Sequence, residues 1–210
     1  YSREGYIERN ASGLFTDPDD ESPNAWLIAV FIDGALAGSI RLHIASRPEH
    51  FMPVTKGFPD IIEPRLQAGD LIVDASRMTS RIEFTRTYPF MPYLMMRSAF
   101  IAEDHFGADY ITAACREEYQ AAYRRMWGAV NWAPPRPYPP LKQLQALMAF
   151  DCKGMWDATR TRYPFVRSTP EEQRTLYARS SNSPVDPFEE LTASRRERRL
   201  AMQHSTTCVA

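Results

Sequence analysis

No G-x-G-x-x-G segment follows an apolar run in this 210-residue chain, which argues against a dinucleotide-binding domain. H-E-x-x-H and G-x-S-x-G are absent too, so neither a zincin nor a nucleophile elbow is indicated. The four histidines, His43, His50, His105 and His204, fall at no metal-ligand spacing, and a Ser–His–Asp set of distant residues stays open without support. The three cysteines, Cys115, Cys152 and Cys208, make no C-x-x-C or Cys/His cluster. No metal is therefore expected, and the unpatterned thiols suit a reducing cytoplasm. No apolar run reaches the roughly 18 residues of a membrane span, and no secretory signal is expected. The chain begins at Tyr1 rather than Met, and an upstream segment is expected.

Charge of one sign is missing as well. The formal net charge is −1, so no bulk affinity for a polyanion follows. The distribution is uneven: residues 1–110 hold 10 Lys and Arg against 16 Asp and Glu, and residues 111–180 hold 11 against 6. The basic segment can face an acidic partner or simply carry solvated helix faces. The arginines of SRRERRL (194–200) are balanced by acids within residues 181–210, which weighs against nucleic-acid binding.

What is present is a sequence of alternating elements. Residues 1–24 read as a polar loop with an acidic cluster. AWLIAVFI (25–32) and ALAGSIRLHIA (35–45) are strands joined by Asp33-Gly34, a strong hairpin signal. Alternation on the second strand puts Ser39 and Arg41 on one face and Ile40 and Leu42 on the other. A short helix is expected in 60–69 and a strand over 70–79. A helix follows at 91–106, with Pro92 in its first turn and Gly107 at its end. Next come a strand (108–115), a helix ending at Gly128, a short strand (129–133), a rigid proline-rich linker (134–140) and a strand (144–151). Helices at 153–163 and 169–180 close the domain. An antiparallel start followed by crossover units predicts an α/β (α+β) fold, a mixed central sheet with helices on both faces. Residues 1–180 read as one domain and 181–210 as a polar, Arg-rich tail with a loose amphipathic helix.

The stretch DLIVDASRMTSR (70–81) poses a chemical problem. Asp74, Ser76 and Arg77 interrupt a strand of buried type, and burying charge is expensive unless it is paired or used. Alternation places Asp74 and Ser76 on one face and Arg77 on the other; a bulge would bring Asp74 and Arg77 to one cleft. A structural salt bridge at a strand end is the plain alternative.

Together with DPDD (17–20), DG (33–34) and GSIRL (38–42), DASR (74–77) resembles the acyl-homoserine-lactone synthase pattern, with Asp74 where that family has Glu. The chain is more similar still to the FeeM-type N-acyl amino acid synthases, through LFTDPDDESPNAWL (14–27), SIRLHIAS (39–46), DLIVDASR (70–77), HFGAD (105–109), YRRMWG (123–128) and PPRPYP (134–139). The resemblance covers roughly residues 1–180. It implies a GNAT-like acyltransferase that moves a long-chain fatty acyl group from an acyl carrier protein thioester to the α-amine of an amino acid. No permanently bound cofactor is implied. Two other readings are a homoserine-lactone synthase using S-adenosylmethionine and a module that binds acyl chains or carrier protein without turnover. The shorter carboxylate at Asp74 would meet the amine directly or through water. The resemblance implies an N-terminal helix that helps close the site, expected upstream of Tyr1, and gives no counterpart for the tail after residue 180.

On this reading Asp74 accepts the amine's proton, and Arg41 and Arg77 are candidates for the acceptor's carboxylate. Ser76 and Met78 flank a bulge whose backbone N–H would meet an oxyanion. Asp17 and Asp20 hold Arg41 in place or only form a turn. The acyl slot is expected from Met95, Met96 and Phe100, with Met91, Phe90 and Tyr93 nearby, and from Trp127, Trp132 and Phe150; ordinary core packing is the alternative. The connection 78–93 contains no glycine, so it suits phosphopantetheine on a carrier protein better than a free coenzyme pyrophosphate. Arg81 and Arg86, with Arg124 and Arg125, are the expected carrier contacts, or else solvated charges.

Overall fold

The computed structural model describes residues 17–177 together with Gly5, Glu8 and Ala11. The tail expected at 181–210 lies outside the described residues, as does most of the loop expected at 1–24 up to Thr16. Six strands and six helices lie among the described residues. They are β1 (Ala25–Ile32), β2 (Ala35–Ala45), α1 (Pro59–Gln67), β3 (Ile72–Ser80), α2 (Ile82–Thr87), α3 (Phe90–Phe106), β4 (Tyr110–Cys115), α4 (Glu117–Trp127), β5 (Val130–Tyr138), β6 (Leu141–Asp151), α5 (Cys152–Arg162) and α6 (Pro170–Tyr177). Short 3-10 turns lie at Pro18–Glu21, Pro53–Lys56 and Pro164–Val166.

The strands form one sheet in the order β1-β2-β3-β4-β6-β5. Only β3 and β4 run parallel; every other pair is antiparallel. The β1–β2 hairpin turns at Asp33 and Gly34, both at positive φ (51° and 77°), the backbone that a two-residue hairpin favours. Helix α3 stops where expected: Gly107 takes the left-handed conformation and its N–H bonds the Glu103 carbonyl at 2.7 Å.

Two stretches differ from expectation. The prolines of 134–140 are not a free linker: β5 runs through Pro134, Pro135 and Pro137 to Tyr138. It sits at the sheet edge, where a missing N–H is tolerated, and its pairing with β6 slips three times along this run. The loop expected after β3 also holds a single-turn helix, α2.

Strand alternation sorts the core onto both faces. Ile40, Leu42, Ile44, Leu71, Val73 and Phe150 pack under α3, where Phe100 and Phe106 meet them, and α5 adds Trp156. Ala45, Ile72 and Leu147 face the other way, against Met52, Val54, Phe58, Ile62 and Leu66 of α1 and the turn before it. Helices therefore cover both faces of a mixed sheet, as the element order requires. This parity also places Arg41, His43, Asp74 and Thr112 on the side of the Pro53–Lys56 turn.

Close strand packing sets the spacing beside these residues. A Cβ at Gly38 of β2 would lie 2.7 Å from the Thr79 carbonyl oxygen and 2.9 Å from Phe90 Cε2. Gly38→Ala is expected to destabilise the fold by about 1–3 kcal/mol through overpacking, read as a lowered Tm; an unchanged Tm would show that β3 and α3 can yield.

Candidate active site

The β3–β4 ladder ends early. Ile72, Val73 and Asp74 pair with Tyr110, Ile111 and Thr112, and beyond that point the ladder stops although both strands continue. On the opposite side of β3, Arg41 faces Ser76 and Ser39 faces Thr79. Arg77 and Met78 therefore oppose the single residue Ile40, a bulge, with Arg77 in the left-handed region at φ 49°. For a non-glycine residue this costs on the order of 1 kcal/mol or more. The bulge breaks alternation and returns Arg77 to the face that carries Asp74.

A cavity of about 960 Å³ opens in this splay. Its floor and β3 wall include Asp74, Ala75, Ser76, Arg77 and Met78; β4 and α4 supply Cys115, Tyr119, Tyr123, Met126 and Trp127. Met91 and Met95 of α3 form a further wall. Asp17, Asp19, Arg41 and Lys56 crowd one end. A second pocket of about 20 Å³ lies behind, lined by Met95, Met96, Phe100, Trp127 and Phe150 among others, with no charged residue.

Arg41 is the centre of the polar end. It is only 3% exposed, and its Nη1 donates to Asp17 Oδ2 at 2.9 Å and to Asp20 Oδ1 at 2.7 Å; its Nε donates to Ser76 Oγ at 3.3 Å. Arg77 Nη1 donates to Asp20 Oδ2 at 2.9 Å and lies 3.7 Å from Asp17 Oδ2. Asp17 also caps its own turn, accepting from the Asp19 N–H at 3.1 Å. Burial would raise the Asp17 carboxyl, but the hydrogen bonds from Arg41 and the Asp19 amide, with the charges of Arg41 and Lys56, outweigh it and hold the group below its ordinary range. Burial would lower Arg41, and its bonds to Asp17 and Asp20 reverse that and raise it.

Asp74 behaves in the opposite way. It is 1% exposed, and burial pushes its carboxyl up to about 7, against the pull of the Thr112 hydroxyl, the Arg41 charge and the Val54 amide. Thr112 Oγ1 donates to Asp74 Oδ1 at 3.1 Å, while Oδ2 has no hydrogen-bond partner. Its cross-strand neighbour is His43. The His43 ring meets the Asp19 carbonyl through Nε2 at 3.1 Å, which requires the proton on Nε2 and leaves Nδ1 a bare acceptor without a partner. Burial, then the Arg41 charge, lower this histidine to about 4, so it is neutral near pH 7.

The sequence-predicted residues divide accordingly. Asp17, Arg41, Asp74, Ser76, Arg77, Met78, Arg81, Met95 and Trp127 line the main cavity, and Met96 and Phe100 line the pocket behind it. Asp20 lies one ion pair back from the cavity. Trp132 lies elsewhere: it projects to the other face, between Tyr110 (ring centroids 4.9 Å) and Arg65, because its strand β5 is the far edge. Arg86, Arg124 and Arg125 are exposed and line neither space; Arg124 bonds Gln120 on its own helix at 2.9 Å. Lys56, His43 and Thr112 were not anticipated at the site. Thr112 left a trace, a lone hydroxyl in the apolar strand YITAAC; Lys56, in a turn, left none. Among the described residues, no three His, Cys, Asp or Glu side chains converge as a metal site would, and no helix is long and apolar enough to cross a membrane.

Comparison with known proteins places this geometry. Among solved structures, FeeM, an N-acyl amino acid synthase from uncultured soil microbes, superposes with a TM-score of 0.61 at 13% identity, over 75% of this chain and 81% of that one. The acyl-homoserine lactone synthase MesI, described as CoA-dependent, gives 0.52 at 14% identity over 89% and 86%. TofI, in a ternary complex with an inhibitor and MTA, gives 0.53 at 14% over 77% and 82%. These likenesses establish a fold shared with these proteins. No curated protein matches the sequence. The family model for N-acyl amino acid synthase FeeM matches residues 1–151. The chain thus belongs to the FeeM family of N-acyl amino acid synthases and is an acyltransferase.

Proposed function

We propose that this enzyme moves a long-chain fatty acyl group from an acyl carrier protein thioester to the α-amine of an amino acid. One observation carries the reading: a buried carboxyl held near neutrality, with one oxygen unpartnered, at the foot of a cavity that is charged at one end and apolar at the other. The charged residues lining the main cavity are balanced, with Asp17, Asp19, Asp74 and Glu83 against Arg41, Lys56, Arg77 and Arg81. Such an end suits a zwitterion. Arg41, buried and bonded to Asp17 and Asp20, holds the site's shape, while Arg77 and Lys56, paired with Asp20 and Asp19 but more exposed, turn their remaining N–H groups to the acceptor's carboxylate. The acyl chain runs toward Met95, Met96 and Phe100.

Asp74 takes a proton from the acceptor's ammonium through one water, since it sits below the cavity surface. The freed amine attacks the thioester carbonyl carbon; the C–N bond forms, the C–S bond breaks, and the thiolate leaves with a proton. The donor assignment rests on the connection after β3. It contains no glycine, the residue that lets backbone approach a pyrophosphate closely. Arg81, exposed and paired with Glu83 at 2.5 Å, stands at the mouth on this side, where it faces an acidic carrier. We place the enzyme in the cytoplasm, where carrier-bound acyl chains are made.

Two measurements test this. The purified chain, given a C12–C18 acyl carrier protein and a mixture of amino acids, is expected to release free thiol and an open N-acyl amino acid by mass spectrometry. A lactone formed only with S-adenosylmethionine, turnover with acyl-CoA alone, or no thiol release would overturn the proposal in different ways. Second, kcat/KM is expected to rise as pH passes through about 7, as Asp74 ionises. Asp74→Asn is expected to lower turnover by about 10²-fold or more. Stability moves the other way. The folded pKa lies above the unfolded value, so the native state binds the extra proton between about 4 and 7, and the Asp74 charge destabilises the fold increasingly over that window. Asp74→Asn should therefore stabilise the fold relative to the parent more at pH 8 than at pH 5, by about 3 kcal/mol of linkage, read as a larger gain in Tm at pH 8. A loss of Tm at both pH values would show that Asp74 is a structural group.

A further inference from the structure

The main cavity and the small apolar pocket share four lining residues, Ala75, Met95, Tyr123 and Trp127. These mark the neck where the surroundings change from charged to apolar. An acyl thioester changes character at one point also, between its carbonyl and its alkyl chain. If the chain occupies the apolar side, the carbonyl comes to rest at the neck.

Trp127, one of these four residues, carries a polar atom that has no partner. The side chain is 8% exposed, and its Nε1 is buried without a hydrogen bond. A buried donor left unpaired is costly and calls for a reason. Indole N–H can only donate, so its partner must be an acceptor. The placement is well fixed. Trp127 is the last residue of α4, followed by Gly128 in the left-handed conformation with its N–H bonded to Arg124 O at 2.9 Å. The ring packs edge-on against Tyr123, with centroids 4.4 Å apart, and the Tyr123 hydroxyl donates to Met95 Sδ at 3.7 Å. Trp156 has an unpartnered Nε1 too, but lines neither space.

We infer that Trp127 Nε1–H donates to the thioester carbonyl oxygen and stabilises the oxyanion that forms on it, acting from the α4 wall across the cavity from the β3 bulge. The inference rests on the proposal that the donor is an acyl thioester. As the amine nitrogen bonds to the carbonyl carbon, the C=O π pair moves to oxygen, where the indole meets it. The pair returns as the C–S bond breaks, and the thiolate takes the proton shed by the amine. The oxyanion exists only in transit, so the bond acts mainly on kcat.

The test compares Trp127→Phe with replacement of Trp127 by benzothienylalanine, which keeps the bicyclic shape and has sulfur in place of N–H. Trp156→Phe serves as a control. Both Trp127 variants are expected to lower kcat about 10²-fold with KM for the acyl donor within about threefold of the parent, as for loss of one oxyanion donor. Trp156→Phe is expected to keep parental kcat. A benzothienylalanine variant with parental kcat, a change confined to KM, or an equal loss in Trp156→Phe would overturn the inference while leaving the acyl transfer reading in place. A parent chain that forms no amide from any thioester would overturn both.

Discussion

The separation of β3 from β4 after Asp74 is the constraint on which the site depends. A regular parallel ladder would carry Ala75 and Ser76 alongside Ala113 and Ala114, and no space would lie between them. Instead Arg77 and Met78 bulge against Ile40 on the β2 side, which bends β3 toward β2 and away from β4. The left-handed backbone at Arg77 is unfavourable in isolation, so something must hold it. Its guanidinium is tied to Asp20 and Asp17, and those acids are in turn fixed by Arg41 from β2. Backbone strain, cavity and ion cluster are parts of one arrangement.

That arrangement also decides the charge on Asp74. A carboxylate beside an arginine ordinarily falls well below its free pKa. Here the Arg41 Nη1 donates to Asp17 and Asp20, and Nε to Ser76. What reaches Asp74 is a remnant of the field, weaker than the cost of its burial, and the carboxyl stays near neutrality. His43 adds to this: its proton is pinned to the Asp19 carbonyl, so it contributes a dipole and no cation beside Asp74.

Much of this was legible in the sequence. The hairpin followed from Asp33-Gly34, the α3 and α4 ends from Gly107 and Gly128, and the Ser39/Arg41 face from alternation, all of them local signals. The bulge was legible only as a conflict, since three polar residues within four cannot all be buried on a regular strand; the conflict pointed to Arg77, and φ 49° resolved it. Trp132 shows the limit. Its aromatic character suggested a pocket wall, but β5 pairs outside β6, so chain order misjudged spatial order. The prolines of 134–140 read as linker because a proline cannot serve a central strand, and only the sheet order reveals that β5 is an edge. Lys56 reaches the site from a turn brought in by the packing of Val54 and Phe58, a contact with no periodic signature.

The apolar pocket carries a further constraint. At about 20 Å³ it holds little more than a water-sized group, far short of a long acyl chain. An empty tunnel long enough for such a chain would cost the free enzyme heavily, because each unit of residual cavity loses contacts with nothing in return. The lining offers another route. Met95, Met96 and Met148 reach into it, and methionine adapts to irregular volume with little loss of packing. A collapsed, methionine-lined pocket keeps the resting enzyme well packed and, on the proposed reading, lets an acyl chain make its own room. On the proposed acyl transfer, affinity then reflects the alkyl surface buried less the cost of moving those side chains, so acyl-length preference is set by how far the methionines can retreat before Phe100, which meets Phe150 edge-on and stacks on Trp156, brings the pocket to an end.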